Sequence, residues 1–581
     1  MTGASKSPAV ISAEEAQAKL EQCMAANANF RLEAGAGAGK TYSLVAALKK
    51  LIAERGAELQ KAGQKVACVT YTEVARNEIA REVEEHPAIL VATIHGFAWS
   101  FISRFQKQLR ELVAKHDGYQ DAIAEAGGIH DQVVEYSQGF FKIDDERITL
   151  HHDDIPRMLG AMLSNEKFQR TFKARFPVVF IDEYQDTDPA VMSALSENFF
   201  KTETGPLVGL FGDHWQTIHR KDYELAAFPN VVGIDKGANF RSVSAVVNVL
   251  NRLRPELKQS LHDEAGKGEA RFFHCNEFTG ERTDTSHAKR ELPPEVSSQF
   301  VESLRAKLEK DGWDLRPENT KILMLTHAAI AAERGYPNIV KIFSEHKEAF
   351  AKKEDLAIAF LADTVEPICS AYAERNYGEM FRLLGGTPTI RKTADKAEWR
   401  VQMDKLAELR KSGTIGEVID HLRETRRPRL TDRVAKREEE IAALGPVETD
   451  TEAKSLKRHR QLRNVHYAEL IALVDFVNGF TLFATQHSVK GAEFENVLVM
   501  LSGGWNHYNW PKFLEQRTAK SIIGKELGGY YRARNLFYVA LSRPKKRLAV
   551  LATQQLNDKA LASVTDLFGE DNVIALDLPL G

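Results

Sequence analysis

The chain has 581 residues, 43% hydrophobic and 27% charged, with a net charge of -3 at pH 7. That composition is ordinary for a globular protein of about four domains, and its charge balance excludes a wholly basic chain, so any polyanion site must be a local patch. Four scattered cysteines (Cys23, Cys68, Cys275, Cys369) lack C-x-x-C spacing; they exclude a zinc or disulfide framework and read as reduced, mostly buried thiols of a cytoplasmic protein, and there is no apolar signal core and no unbroken run approaching 18 apolar residues.

The first element is a short apolar strand from Phe30 that runs into Ala34-Gly35-Ala36-Gly37-Ala38-Gly39-Lys40-Thr41 and then a helix-forming run from Tyr42 to Leu51. Glycines let backbone N–H groups wrap a phosphate chain, and the helix that follows offers its positive end. Lys40 is placed to reach the β and γ phosphates, with the Thr41 hydroxyl on Mg²⁺. Ala34 stands where the usual G-x-x-x-x-G-K-[ST] pattern begins with Gly. The loop alone says ATP or GTP.

Strand-length apolar runs follow at Val66–Val69 and Ile89–Ala92. From His95 to Pro177 the chain reads as polar and helical, without strand-like runs. Val178–Ile181 then ends in Asp182-Glu183. Two carboxylates at the C-terminal edge of a parallel strand suit a metal-holding acid, Asp182, and a general base for water, Glu183. About 140 residues separate Lys40 from Asp182, and the helical segment accounts for that spacing. Leu207–Phe211 leads to Gly212-Asp213 and Gln216, where a Gln past a strand tip can sense the γ-phosphate. Val231–Ile234 completes the early set.

Strands alternating with helices predict parallel α/β layers. A later set, Ile322–Leu325, Leu482–Thr485, Val497–Leu501 and Leu548–Leu551, predicts a second α/β lobe. Ser344 to Gly479 reads as helical and charge-rich. It holds the densest basic runs: Lys454, Lys457, Arg458, Arg460 and Arg463, and the cluster Arg423, Arg426, Arg427, Arg429, Arg433 and Lys436. Solvated helix faces explain either cluster taken alone.

In order along the chain, these segments resemble the motifs of the UvrD/Rep-like helicases of superfamily 1. Ala34 to Thr41 resembles motif I, with Ala in first place as in the family. Thr70-Tyr71-Thr72 resembles motif Ia, and Thr93-Ile-His95-Gly96-Phe97 motif Ib. Asp182-Glu183-Tyr-Gln185-Asp186 resembles motif II. Gly212-Asp213 with Gln216 fits motif III, and Asn239-Phe240-Arg241-Ser242 motif IV. Thr485-Gln-His487-Ser-Val-Lys490-Gly491-Ala-Glu493-Phe494 fits motif V, and Arg534 through Tyr538 to Ser542-Arg543 motif VI.

The resemblance implies two RecA-like parallel α/β lobes, each with a helical insertion. The first lobe is expected over 1–97 and 166–245 with its insertion at 98–165. The second is expected over 246–343 and 480–581 with its insertion at 344–479. It implies an ATP- and Mg²⁺-dependent DNA helicase that tracks single strands and unwinds duplex, 3′→5′. Lys40, Asp182, Glu183, Gln216, Arg241 and Arg543 would carry hydrolysis, with Thr41 and Asp182 on the metal. The loop residues 34–41, Phe240 against adenine, Arg241, Glu493 and Arg543 would hold the nucleotide. Tyr71, His95, Phe97, Trp215 and His487 would lie along single-stranded DNA. Gln17 is the nearest candidate for an adenine-reading Gln, although Glu15 stands at the spacing the family uses.

The sequence departs from the family after Gln216, where Thr-Ile-His219-Arg220-Lys221 replaces the usual aromatic run. Residues 544–581 follow Arg543, so no RecB-type nuclease domain is expected there. Ile322–His327 and the Thr485–Phe494 segment are similar to the small UvrD-like helicases of anti-phage systems, such as the helicase subunit of Gabija-type systems, encoded beside an OLD-like nuclease. A stand-alone repair helicase fits the same motifs. A nucleotide- and DNA-dependent scaffold that gates a partner nuclease is the alternative activity.

Overall fold

A computed structural model describes the chain except residues 1–5, 138–140, 202–204, 219–227, 229, 263–264, 286–287, 326–329, 332–333, 345–348, 352, 386–389, 391, 446–451, 479–481, 487–488, 504–507, 520–521, 523 and 578–581. It divides into two compact units. The first comprises 1–272, 506–549 and 556–574; the second comprises 273–505, 550–555 and 575–581.

The chain opens with helix α1 (Pro8–Ala25), strand β1 (Phe30–Ala34), helix α2 (Lys40–Lys61), β2 (Val66–Thr70), α3 (Glu73–Glu82), β3 (Ile89–Thr93) and α4 (Ile94–Ile102). Thr72 and Thr93 start α3 and α4 by accepting hydrogen bonds from Ala75 N and Gly96 N, so each strand turns into its helix on a hydroxyl cap. The next segment, which reads as helical throughout, also carries a three-stranded sheet. Its strands are β4 (Val133–Tyr136), β5 (Lys142–Ile143) and β6 (Arg147–Leu150), in the order β4-β6-β5. They have at most four residues and bury only alternate side chains, so they leave no apolar run to read.

The chain returns through β7 (Val178–Asp182), β8 (Leu207–Gly212) and β9 (Val232–Lys236) to form a six-stranded sheet in the order β3-β2-β7-β8-β1-β9. Every pairing in it is parallel. Strands β2, β7 and β8 are buried along their whole length, as a sheet covered on both faces requires. Phe30, Phe180 and Phe211 meet edge-on beneath it at 5.4–5.9 Å. Parallel order brings the C-terminal ends of β1, β7 and β8 to one edge, where an open α/β sheet places its ligand.

Beyond β9 lie the short pair β10 (Ala238–Asn239) and β11 (Ser260–Leu261), then β12 (Glu269–His274), the hairpin β13 (Thr283–Thr285) with β14 (Ala288–Glu291), and β15 (Thr320–Met324). Strands β16 (Phe483–Thr485), β17 (Phe494–Leu501), β18 (Pro544–Ala552) and β19 (Val573–Ala575) complete a second six-stranded sheet, ordered β16-β15-β17-β18-β12-β19. Strand β15 is parallel to both β16 and β17. Each apolar run that the sequence marks as strand-length after the glycine-rich loop is a strand, and the protein is α/β with two RecA-like parallel sheets. The four cysteines are free and buried.

The second unit is rich in helices between β15 and β16. One continuous helical run, Leu356–Ala373, is long and apolar enough to cross a membrane by length and composition. Its Glu366 carboxylate is buried and takes hydrogen bonds from Arg410 Nε at 2.9 Å and Tyr467 Oη at 2.9 Å, the pairing of a core helix. The basic runs are largely paired too. Arg463 meets Glu438 and Asp420, Arg460 meets Glu452, and Arg427 lies 4.2 Å over the Trp399 ring.

Candidate nucleotide site

The loop between β1 and α2 closes with Ala38 N donating to Gly35 O at 3.0 Å, and Gly37 and Gly39 have φ of 77° and 73°. A Cβ at Gly37 would lie 2.8 Å from Arg241 Cβ, and one at Gly35 would lie 2.6 Å from Gln259 Nε2. The neighbours therefore press directly on the loop backbone. Its central peptide is braced from three places. Ala36 N donates to Tyr538 Oη at 3.1 Å, while Ala36 O accepts from Asn239 Nδ2 at 3.1 Å and Gln259 Nε2 at 2.9 Å. Phe240 N donates to Gly37 O at 2.9 Å. Asn239 Oδ1 also accepts from the amides of Arg241 and Ser242, which fixes the turn that carries Phe240 and Arg241. Phe240 and Tyr42 are exposed beside the loop, at 45% and 76%.

Lys40 opens α2 and meets the acidic pair at the end of β7. Its Nζ lies 3.2 Å from Asp182 Oδ1 and is in ion-pair contact with Glu183 Oε1. Burial pulls the ammonium pKa down, but the two carboxylates outweigh it and hold Lys40 above its ordinary value. Burial raises the Asp182 carboxyl against the opposing pull of Lys40. Glu183 stands in left-handed backbone geometry (φ 51°), which turns it off the strand line. Gln185 Nε2 donates to its Oε2, and Gln185 Oε1 accepts from Asp213 N at 3.2 Å. The candidate metal donors, Asp182 and Thr41, are a carboxylate and a hydroxyl; an all-oxygen set with a buried acid fits a hard divalent cation such as Mg²⁺.

Gln216 sits at the third strand tip. Its Nε2 donates to Asp213 Oδ2 at 2.9 Å, and its Oε1 accepts from Arg543 Nη2 at 3.5 Å. Arg543 is 1% exposed and also donates to Val539 O and Ser542 Oγ. Arg241 Nη1 donates to Ser542 O at 3.2 Å. Burial, followed by the like charge of Arg241, pulls the Arg543 guanidinium down to about 9. The first compact unit thus gathers Lys40, Asp182, Glu183, Gln216, Arg241 and Arg543 around one strand edge.

Arg254, which no sequence motif singles out, organises the floor. Its Nη1 donates to Asp213 Oδ1 at 2.6 Å, and its Nη2 lies 3.6 Å from Glu33 Oε2. His214 Nδ1 lies 3.1 Å from the same Glu33 oxygen. Glu33, Asp213 and His214 bring ligand atoms within 4.8 Å of one another, and the Arg254 guanidinium already supplies the cation there. Trp215 is 5% exposed. Its ring has Arg534 at 3.9 Å, Arg254 at 5.2 Å and the Tyr538 ring edge-on at 5.5 Å.

The residues expected along DNA divide accordingly. Tyr71 is 48% exposed at the tip of β2. His95 is half-buried and stacks on His152 at 3.5 Å; burial, then the neighbouring imidazole, pulls it down to about 4. Trp215 and Phe97 correct the expectation. Trp215 is walled by guanidinium groups, and Phe97, 3% exposed, packs on Phe172 and Phe176, so neither offers a ring face to a base. His487, like His219 to Tyr223, lies outside the described residues. Glu493 is exposed just before β17 in the second unit. Gln17 is not brought to the loop: its Nε2 donates to Glu21 Oε1, and Glu21 pairs with Lys50, ten residues or about 15 Å along α2 from Lys40.

Gln259 and Lys236 escape sequence reading as well. Each acts on the loop from a strand end, and neither carries a spacing signal. Tyr538 could have been found, since it lies inside motif VI.

Two protein families match the chain. An AAA domain covers residues 17–221, and a UvrD-like helicase C-terminal domain covers residues 338–555. The chain is also similar to the Gabija protein GajB of Bacillus cereus (strain HuB5-5). The two are 23% identical over 678 aligned positions, which span 92% of this chain and 94% of that protein. These matches, on a chain with two parallel sheets, give it an AAA domain followed by a UvrD-like helicase C-terminal domain.

Proposed function

We propose that the protein is a DNA-dependent ATPase that translocates on single-stranded DNA in the 3′→5′ direction, unwinds duplex and serves anti-phage defence. The observation that carries this reading is the gathering of three strand-edge groups (Lys40, the Asp182–Glu183 pair and Gln216) with Arg241 and Arg543. Lys40 exchanges its carboxylates for the β and γ phosphates of ATP. Glu183 takes the proton of the attacking water. Gln216 orients that water, and Arg241 and Arg543 meet the charge that develops on the γ-phosphate, a role worth about 10³–10⁵ in rate in related chemistry. Asp182 and Thr41 would hold Mg²⁺, which would supply charge neutralisation for the triphosphate. Phe240 stacks on adenine. The defence role rests on the similarity to the Gabija protein over nearly its whole length. The test is ATP turnover with and without single-stranded DNA, together with strand displacement on 3′- and 5′-tailed duplexes. DNA-stimulated turnover surviving in Lys40→Ala would overturn the assignment.

A second reading, a scaffold that uses ATP and DNA to gate an OLD-like nuclease with little unwinding, is favoured by one observation. The family's aromatic run after the motif III Gln is replaced here by Thr-Ile-His219-Arg220-Lys221. No displacement on either tailed duplex, with a stable complex formed with the nuclease, selects it.

A further inference from the structure

Lys236 is the last residue of β9 and lies opposite Ala34, the last residue of β1. Its side chain runs beneath the first turn of α2. Nζ donates to Gly39 O at 2.8 Å and to Ser43 Oγ at 2.8 Å, with the Tyr42 ring centroid 6.0 Å away. The residue is 2% exposed. Burial alone, with no neighbouring charge contributing, pulls its pKa down to about 8. Among the described residues it forms no ion pair. A desolvated ammonium without an anion is costly unless something compensates it.

The atom it grips indicates the compensation. The Gly39 carbonyl and the Lys40 amide belong to one trans peptide, so the C=O and N–H point in opposite directions. The Lys40 N–H is among the first amides of α2 and has no partner within the helix; it is a group that binds anions at a helix start. A charge-assisted hydrogen bond to the carbonyl polarises the peptide and makes its N–H a stronger donor. Gly39 must hold its left-handed turn for that N–H to face the loop, and Lys236 ties the turn to β9.

We propose that Lys236 is a positioning residue of the nucleotide site. It raises affinity for a nucleoside triphosphate by holding and polarising the Gly39–Lys40 peptide from behind the loop, and it touches no phosphate itself. This rests on the nucleotide reading above. The competing role is a plain anchor between β9 and α2, and the two differ in what loss of the charge does. Removing an anchor destabilises the fold. Removing an uncompensated buried charge does not.

The experiment compares full-length wild type, Lys236→Met, Lys236→Gln and Lys40→Ala by binding of a fluorescent ADP analogue with Mg²⁺, steady-state ATP turnover and thermal melting. Lys236→Met should weaken nucleotide binding about tenfold, and Lys236→Gln, which keeps a donor without the charge, about threefold. KM should rise in step while kcat stays within about twofold, with Tm unchanged or higher. Wild-type affinity in Lys236→Met, or a lowered Tm with KM and kcat unchanged, would overturn the inference. If Lys236→Met does not fold, Lys236→Gln carries the same comparison. Failure of the wild type itself to bind the analogue would instead overturn the nucleotide reading, and this inference with it.

Discussion

The hydroxyl of Tyr538 accepts the amide hydrogen of Ala36 at 3.1 Å, across 502 residues of chain. The centre of the phosphate loop is therefore tied to the helix Lys525–Leu541, whose Tyr538 ring also meets Trp215. Tyr538→Phe keeps the ring and removes the acceptor. Leaving a buried amide without its partner costs roughly 1–3 kcal/mol. The melting transition of the full chain should fall accordingly, and an unchanged transition would show that the contact contributes nothing.

Arg254→Met removes the guanidinium from between Asp213, Glu33 and the Trp215 ring. Breaking a buried ion network by taking out one partner costs about 3–5 kcal/mol. Arg254→Lys restores the charge but not the planar group over the indole, so it should recover only part of the loss. Equal melting of Arg254→Lys and wild type would mean that stacking on Trp215 is unimportant.

Tyr71 and Trp215 should part company in DNA binding. Tyr71→Ala should lose about 1–3 kcal/mol of single-strand affinity, the worth of one stacked base, with nucleotide affinity unaltered. Trp215→Phe should affect melting more than DNA affinity. Fluorescence anisotropy with a labelled oligonucleotide separates the two, and undiminished binding by Tyr71→Ala would remove Tyr71 from the track.

Lys236 gives opposite pH trends for stability and affinity. Its folded pKa of about 8 lies below its ordinary value. Between these two values the unfolded chain holds the proton and the folded chain does not, so stability rises with pH from about 8 upward. Its contribution to nucleotide affinity is present below about pH 8 and is lost as pH rises through it. Nucleotide titrations at about pH 7 and about pH 9, on either side of that value, should show weaker binding at the higher pH in the wild type and a smaller change in Lys236→Met. Equal changes in both proteins would exclude Lys236 as the group responsible.

Lys40→Ala should reduce ATP turnover by about a hundredfold or more, the scale of losing a charged group aimed at the transition state. It also leaves Asp182 and Glu183 facing each other without their shared cation. Melting of this variant should therefore depend more on added Mg²⁺ than wild-type melting does. Equal Mg²⁺ dependence would show that the pair does not need Lys40 to balance it.

Much of the α/β framework is legible in the sequence because buried parallel strands such as Val178–Asp182 and Leu207–Gly212 are short apolar runs with chemistry at their ends. The glycine-rich loop is legible for the same local reason. The brace on that loop is not. Lys236, Arg254 and Gln259 stand about 200 residues after Lys40 in chain order, and nothing near them in sequence marks what they touch. Trp215 and Phe97 read as candidate stacking platforms because an aromatic residue looks the same in sequence whether its faces are open or covered. Only the packing of Arg254, Arg534, Phe172 and Phe176 decides that. The small sheet β4-β6-β5 escapes notice because its strands are too short for periodicity to show.

The indole of Trp215 flanked by Arg254 and Arg534 has a consequence for how this chain can vary. Three positions far apart in sequence share one stack, so a change at one alters the selective value of the other two. In related chains, loss of the ring at position 215 should be accompanied by loss of an arginine at 254 or 534. The stack would then be inherited as a set, and a swap of motif III alone between distant relatives should fold less well than a swap that carries all three residues.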